Sequence, residues 1–159
     1  MNESAFPQCL SLVRFHEMLR DGTLGDDEVH ALATNRRLRA QYTAFRGCDG
    51  AFQEMLQAAE EANEHHHNHH HHHHQDAESD DEQRASTHEA KYIGYMHCVG
   101  TTLCPSALRE WYGCLEAVRD GKVPAEACQP VKSMLERCLR AESDAMFRAT
   151  QDHVFRSTK

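Results

Sequence analysis

The groups in this chain best suited to chemistry are its seven cysteines. Thiols can pair as disulfides, hold a soft metal or act as nucleophiles, and spacing decides among these. Four of them, Cys104, Cys114, Cys128 and Cys138, are separated by nine, thirteen and nine residues. The set is symmetric about Gly121, the midpoint of both the outer and the inner pair. A zinc site brings two thiolates to one ion with about two to four residues between them, and a nine-residue gap in a helix does not do so. A thiol–disulfide oxidoreductase needs a close, exposed, low-pKa pair of the Cys-x-x-Cys kind. The chain has none. Structural disulfides fit the spacing best.

Those four residues must be positioned by helices. Gly121 lies in Arg119-Asp120-Gly121-Lys122-Val123-Pro124, and Gly ends helices where Pro restarts them. An antiparallel hairpin folded at Gly121 brings both pairs face to face. Ten residues of helix rise about 15 Å, whereas a disulfide spans about 4.4–6.8 Å between Cα atoms. Cys104–Cys114 and Cys128–Cys138 therefore do not close within straight helices, and the crossed pairing needs a large register slip. The expectation is Cys104–Cys138 outside and Cys114–Cys128 inside. The apolar pattern agrees. Cys104, Leu108, Trp111, Leu115 and Val118 form one stripe, and Cys128, Val131, Leu135 and Cys138 the facing one. Pro105 suits a first helical position. Pro130 either kinks the second helix or starts it, leaving Cys128 just outside.

This pattern resembles the twin Cys-x9-Cys family, the coiled-coil-helix-coiled-coil-helix (CHCH) proteins of the mitochondrial intermembrane space. The resemblance rests on Cys104, Cys114, Cys128, Cys138, Gly121 and Leu139-Arg140, and covers residues 100–142. It implies a non-catalytic protein, oxidised on import by the disulfide relay. It also implies an accessory subunit or assembly factor of a respiratory-chain complex such as cytochrome oxidase, or of another inner-membrane complex. Its partners are then the import oxidoreductase, transiently, and subunits of that complex. Family substrates carry an amphipathic stretch beside one cysteine, a role that Leu108, Trp111, Tyr112 and Leu115 around Cys114 can fill. The family's import oxidoreductase has a Cys-Pro-Cys motif ahead of its twin pairs, which this chain lacks. Its copper chaperone has adjacent cysteines before the Cys-Pro junction, where this chain has Thr102 and Leu103.

The remaining composition bounds the rest. Net charge is −8 with histidine neutral, which argues against a nucleic-acid backbone as main partner. No apolar run approaches the ~20 residues of a spanning helix. The start, Met1-Asn2-Glu3-Ser4-Ala5-Phe6, has neither a basic region nor a signal core. Cysteine-rich usage favours an oxidising compartment. The expected fold is all-α, in three parts. Residues 1–60 form an N-terminal helical segment, 61–88 a disordered low-complexity His-rich and acidic linker, and 89–159 the CHCH domain with a helical tail.

In the first part, Pro7 opens a helix with Cys9, Leu12, Phe15 or His16, and Leu19 on one stripe, ended by Asp21-Gly22. Gly25-Asp26-Asp27 restarts the chain with acids at a helix N-terminus. Asn35-Arg36-Arg37-Leu38-Arg39 breaks the next stripe, which resumes through Phe45, Cys48, Phe52, Met55 and Leu56. Cys9 and Cys48 are either a staple or two packed thiols, and packing is slightly preferred. The linker contains a histidine tract between His65 and His74. Clustered imidazoles bind copper or zinc, and His65, His66, His67, His69 and His70, together with His97 and Cys98, are the candidate ligands of an alternative, metal-handling function. No spacing among them fixes a coordination geometry, so no cofactor is expected. Ser86-Thr87-His88-Glu89 reads as a capping box opening a helix through Tyr92, Met96, Val99 and Leu103. Cys98 reads as a packed thiol or as a partner for a spare cysteine. The tail from Leu139 to Phe155, with Ala145, Met146 and Phe147, extends the second helix toward a partner.

Overall fold

The computed structural model of the chain describes residues 6–68 and 76–150, with backbone only for 65–68, 76–82 and 84–86. It is all-α: α1 (Leu10–Arg20), α2 (Asp26–Thr34), α3 (Arg39–Arg46), α4 (Asp49–Asn68), α5 (Asp76–Leu103), α6 (Pro105–Arg119) and α7 (Gln129–Thr150), with a 3-10 turn at Ala125–Cys128. The chain divides at other points than its composition suggests. One compact unit comprises Met1–Gly47 with Val99–Lys159, and the other is Cys48–Cys98. Neither the 60/61 nor the 88/89 boundary separates units.

In the first unit the N-terminal helices and the cysteine hairpin share one core. α6 packs on α7, and both α1 and α2 pack on α7. Leu12, Phe15, Leu32 and Phe45 are fully buried, as are Leu139 and Val99. Phe15 lies edge-on to Phe147 with centroids 5.0 Å apart and tilted against Phe45 at 5.9 Å. His16, also buried, stacks on Phe45 at 4.1 Å. Ser11 Oγ and Ser143 Oγ share a 2.6 Å hydrogen bond between α1 and α7. In the described part of the tail, expected to serve a partner, Met146 is buried and Phe147 meets Phe15 of the chain's own α1. Phe155 lies outside the described residues.

Local chemistry explains the short N-terminal helices. α1 ends at Asp21, and Gly22 beyond it has φ +71°. Three acids, Asp26, Asp27 and Glu28, fill the first turn of α2, where they oppose the positive end of the helix dipole. Asn35 Oδ1 accepts from the Arg37 and Leu38 N–H groups at 2.9 and 3.2 Å. That side chain makes the turn that interrupts the stripe. It delivers the chain to α3 with Tyr42 and Phe45 facing inward.

The second unit is a stapled pair of helices. Cys48 and Cys98 form a disulfide with Cα atoms 5.9 Å apart. Phe52 meets Tyr95 at 5.6 Å between centroids, and Lys91 Nζ reaches Glu54 Oε2 at 3.3 Å. Partners rise along α4 as they fall along α5, the mark of an antiparallel pair. Of the readings of Cys98 the partner for a spare cysteine holds, so it is neither a packed thiol nor a metal ligand, and Cys48 is not partnered by Cys9. The expected irregular linker differs too. Residues 61–68 lie in α4 and 76–88 in α5. Helix-forming Ala, Glu, Gln and Arg favour this, and acids at positions 76, 78, 80 and 81 suit a helix N-terminus. Ser86 is thus inside α5 and opens nothing. Thr87 is accommodated by donating its hydroxyl to the Gln83 carbonyl at 2.8 Å. Residues 69–74 of the histidine tract lie outside the described residues.

Candidate functional site: the doubly stapled hairpin and its apolar face

Each end of the hairpin is shaped by its sequence. Cys104 is the N-cap of α6 and Pro105 its first residue. The proline's missing N–H is no loss at that position. At the other end Gly121 has φ +74°. Its N–H donates to the Val118 carbonyl at 3.0 Å, and the Lys122 N–H donates to Ala117 at 2.8 Å. This pair of bonds is a Schellman closure, which satisfies the last carbonyls of α6 and needs the left-handed conformation Gly supplies. Pro124 then precedes the 3-10 turn that carries Cys128, and α7 begins at Gln129 with Pro130 in its first turn. Of its two sequence alternatives, Pro130 takes the one that starts a helix.

The cysteines are joined at two levels. Cys104 pairs with Cys138, with Cα atoms 6.2 Å apart, and Cys114 with Cys128 at 5.7 Å. The bridges enclose sequence separations of 34 and 14. Cys9 is the free cysteine of the described residues, buried at the N-cap of α1 with Sγ 3.4 Å from Ser11 Oγ.

The four residues of the expected recognition stretch lie on α6. Leu108 and Trp111 are buried, and Tyr112 and Leu115 are half-buried. Gly100 of α5 comes so close to Leu108 that a Cβ there would stand 3.0 Å from Leu108 Cδ1. Phe6 meets the Trp111 ring edge-on at 6.1 Å and 89°. The Trp111 Nε1–H has no hydrogen-bond partner among the described residues. Partial burial pushes the Tyr112 hydroxyl above its ordinary pKa, because the charged phenolate is penalised away from water.

A cleft of about 410 Å³ lies beside the Cys104–Cys138 bridge and is lined by Pro105, Ala107, Glu110 and Met134. Among the described residues Met134 is one of three large apolar side chains left exposed, with Leu10 and Val123.

The metal candidates are not brought together. His97 is exposed beside a Cys98 whose sulfur is committed to Cys48. Of His65, His66 and His67 only the backbone is described, in α4, and His69 and His70 lie outside the described residues. Among the described residues no group of three or more His, Cys, Asp or Glu is placed to hold an ion. No helix among them is long and apolar enough to cross a membrane.

Sequence reasoning named Cys98 as a partner for a spare cysteine but left its bridge to Cys48 unassigned. Its signal was present: Cys48, Phe52, Met55 on one side, and Tyr92, Tyr95 and Cys98 on the other, are helical stripes of opposite sense. The histidine tract between them made the intervening chain read as a spacer. No protein-family model, curated protein or solved structure matches this chain. On this geometry the chain is a small disulfide-stapled helical protein.

Proposed function

We propose that this chain is a non-catalytic CHCH protein of the mitochondrial intermembrane space. In this reading it is an accessory subunit or assembly factor of a respiratory-chain complex, cytochrome oxidase or a similar inner-membrane assembly. The disulfide relay oxidises it on import. The observation that carries the reading is the nested pair of bridges, Cys104–Cys138 and Cys114–Cys128, on two helices closed at Gly121. Three bridges in a chain with one buried thiol also suit an oxidising compartment. The hairpin then acts as a rigid clip that α1 and α2 enlarge, and its work is binding.

The test begins with a thiol count on the protein taken from its own cells, by alkylation and intact mass with and without reduction. Six protected cysteines and one free are expected, together with fractionation to the intermembrane space. Native gels then separate the two roles. A subunit co-migrates with a large complex throughout its lifetime, and an assembly factor with intermediates only. Seven alkylated cysteines, or a location outside that compartment, would sink the reading.

A further inference from the structure

The apolar face that the family resemblance assigns to the import oxidoreductase is covered, in the folded chain, by residues from far upstream. Phe6 packs edge-on against Trp111. Pro7 is buried, and the Gln8 N–H donates to Glu136 Oε2 at 3.0 Å in an exposed position. From Leu12 onward α1 is held in the core. The cover is thus a short arm, residues 6–8, leading into an anchored helix. Beneath it Trp111 is 3% exposed, and its indole N–H goes unmet among the described residues. A buried indole usually keeps a partner for this group, and an unmade buried hydrogen bond carries the full desolvation penalty of the donor. The docked arm satisfies the apolar side of Trp111 and, among the described residues, offers its N–H no acceptor. An occupant that is apolar and also offers an acceptor competes with it on favourable terms.

We propose that the arm and the import oxidoreductase compete for the same Trp111 face, so that docking of the arm ends the oxidation encounter. This rests on the function proposed above. Cys114 lies one helical turn from Trp111, on the same side of α6. With Trp111 seated in an apolar cleft of the oxidoreductase, the Cys114 thiolate attacks the oxidoreductase's disulfide. A mixed disulfide forms and one oxidoreductase thiolate leaves. The Cys128 thiolate then attacks the Cys114 sulfur and expels the second. Two electrons pass from the chain to the oxidoreductase, and the two protons lost by Cys114 and Cys128 reach its thiolates through solvent. Phe6 displaces the oxidoreductase from Trp111 while the mixed disulfide still stands, which frees Cys128 to make that attack and bars re-engagement.

The test uses the reduced full-length chain and the purified oxidoreductase in its disulfide form, with acid quenching, alkylation and non-reducing gels. In Phe6→Ala the mixed disulfide persists about twofold to tenfold longer than in wild type, the range an aromatic pair implies. Phe6→Leu restores most of the wild-type lifetime. Trp111→Phe keeps the ring but lacks the N–H, and it yields less mixed disulfide at equal oxidoreductase. A folding check uses the chain's one tryptophan. In oxidised Phe6→Ala its emission shifts to the red and iodide quenches it more, with the helical circular dichroism unchanged. A red-shifted Phe6→Ala with a wild-type mixed-disulfide lifetime overturns the proposal and leaves the proposed function standing, because wild type is still oxidised. An unshifted Trp111 emission in Phe6→Ala overturns it as well. A wild-type chain that the oxidoreductase does not oxidise overturns both.

Discussion

The molecule contains two helical hairpins that are stapled in different ways. α6 and α7 are bridged at two levels, across sequence separations of 34 and 14, while α4 and α5 are bridged once, across 50. Loop-closure arithmetic gives each bridge taken alone about 3 to 4 kcal/mol, so loop length hardly separates them. Register does. Two bridges on one pair of helices fix how far each helix slides past the other. A single bridge at the open end fixes one point only, and the rest depends on contacts such as Phe52 with Tyr95 and Lys91 with Glu54. The latter is an exposed ion pair, a class worth about 1 kcal/mol or less. The first hairpin also has α1 and α2 packed on α7. The lesson is that levels of cross-linking, more than their loop sizes, specify a small helical unit.

The largest expected effect comes from removing one bridge in each region. Cys104→Ser with Cys138→Ser should cost about 2–5 kcal/mol, read as a lower urea midpoint of the Trp111 fluorescence transition. Cys48→Ser with Cys98→Ser should lower helical circular dichroism while leaving the Trp111 transition in place. Equal shifts of that transition in both variants would break the comparison. A smaller effect isolates the turn. Gly121→Ala meets no atom within 4 Å but keeps φ +74°. It should therefore cost about 1–2 kcal/mol of pure backbone strain, measured by the same urea titration, with the Cys114–Cys128 bridge still formed on peptide mapping.

The smallest effect is one of pH. Burial raises the Glu142 carboxyl above the ordinary carboxylate range, so the folded chain holds that proton more tightly than the unfolded chain does. The corresponding stability is fully present below the unfolded pKa and is lost as pH rises through the folded one. Glu142→Gln should flatten the pH dependence of the urea midpoint just above the ordinary carboxylate range. The partly exposed position keeps the effect slight.

Much of the doubly stapled hairpin was legible because its information is local and redundant. Cysteine spacing, Gly121, Pro105 and the apolar stripes all specify one turn and two helices. The N-terminal helices were legible in outline for a similar reason, since Asp21-Gly22 and Gly25-Asp26-Asp27 are strong punctuation. What lay hidden depends on contacts distant in sequence. Nothing near Met146 or Phe147 says that the first will be buried and the second will meet Phe15, so the described part of an apolar tail read as a partner surface packs on the chain itself. The partner of Cys98 was hidden for the same reason, fifty positions away across a tract whose composition drew attention to itself. The Ser86 box shows a different failure. A capping motif is a local preference, and the helix formers upstream of it outweigh it. In the candidate site, Leu108 and Trp111 were identifiable from their stripe, but the Phe6 cover was not. A single aromatic at the end of the chain carries no period.

The Cys48–Cys98 bridge has a consequence for turnover. It holds the entry and exit of residues 48–98 within 5.9 Å. A protease cut anywhere between those two cysteines therefore yields two polypeptides that remain one molecule. The N-terminal fragment keeps α1–α3, the C-terminal fragment keeps α6 and α7, and the bridge still links them. On a non-reducing gel the nicked protein runs as a single species, and only a reductant releases the fragments. Clearance of this chain by cleavage in that region is thus a two-key process that requires both a peptidase and a thiol.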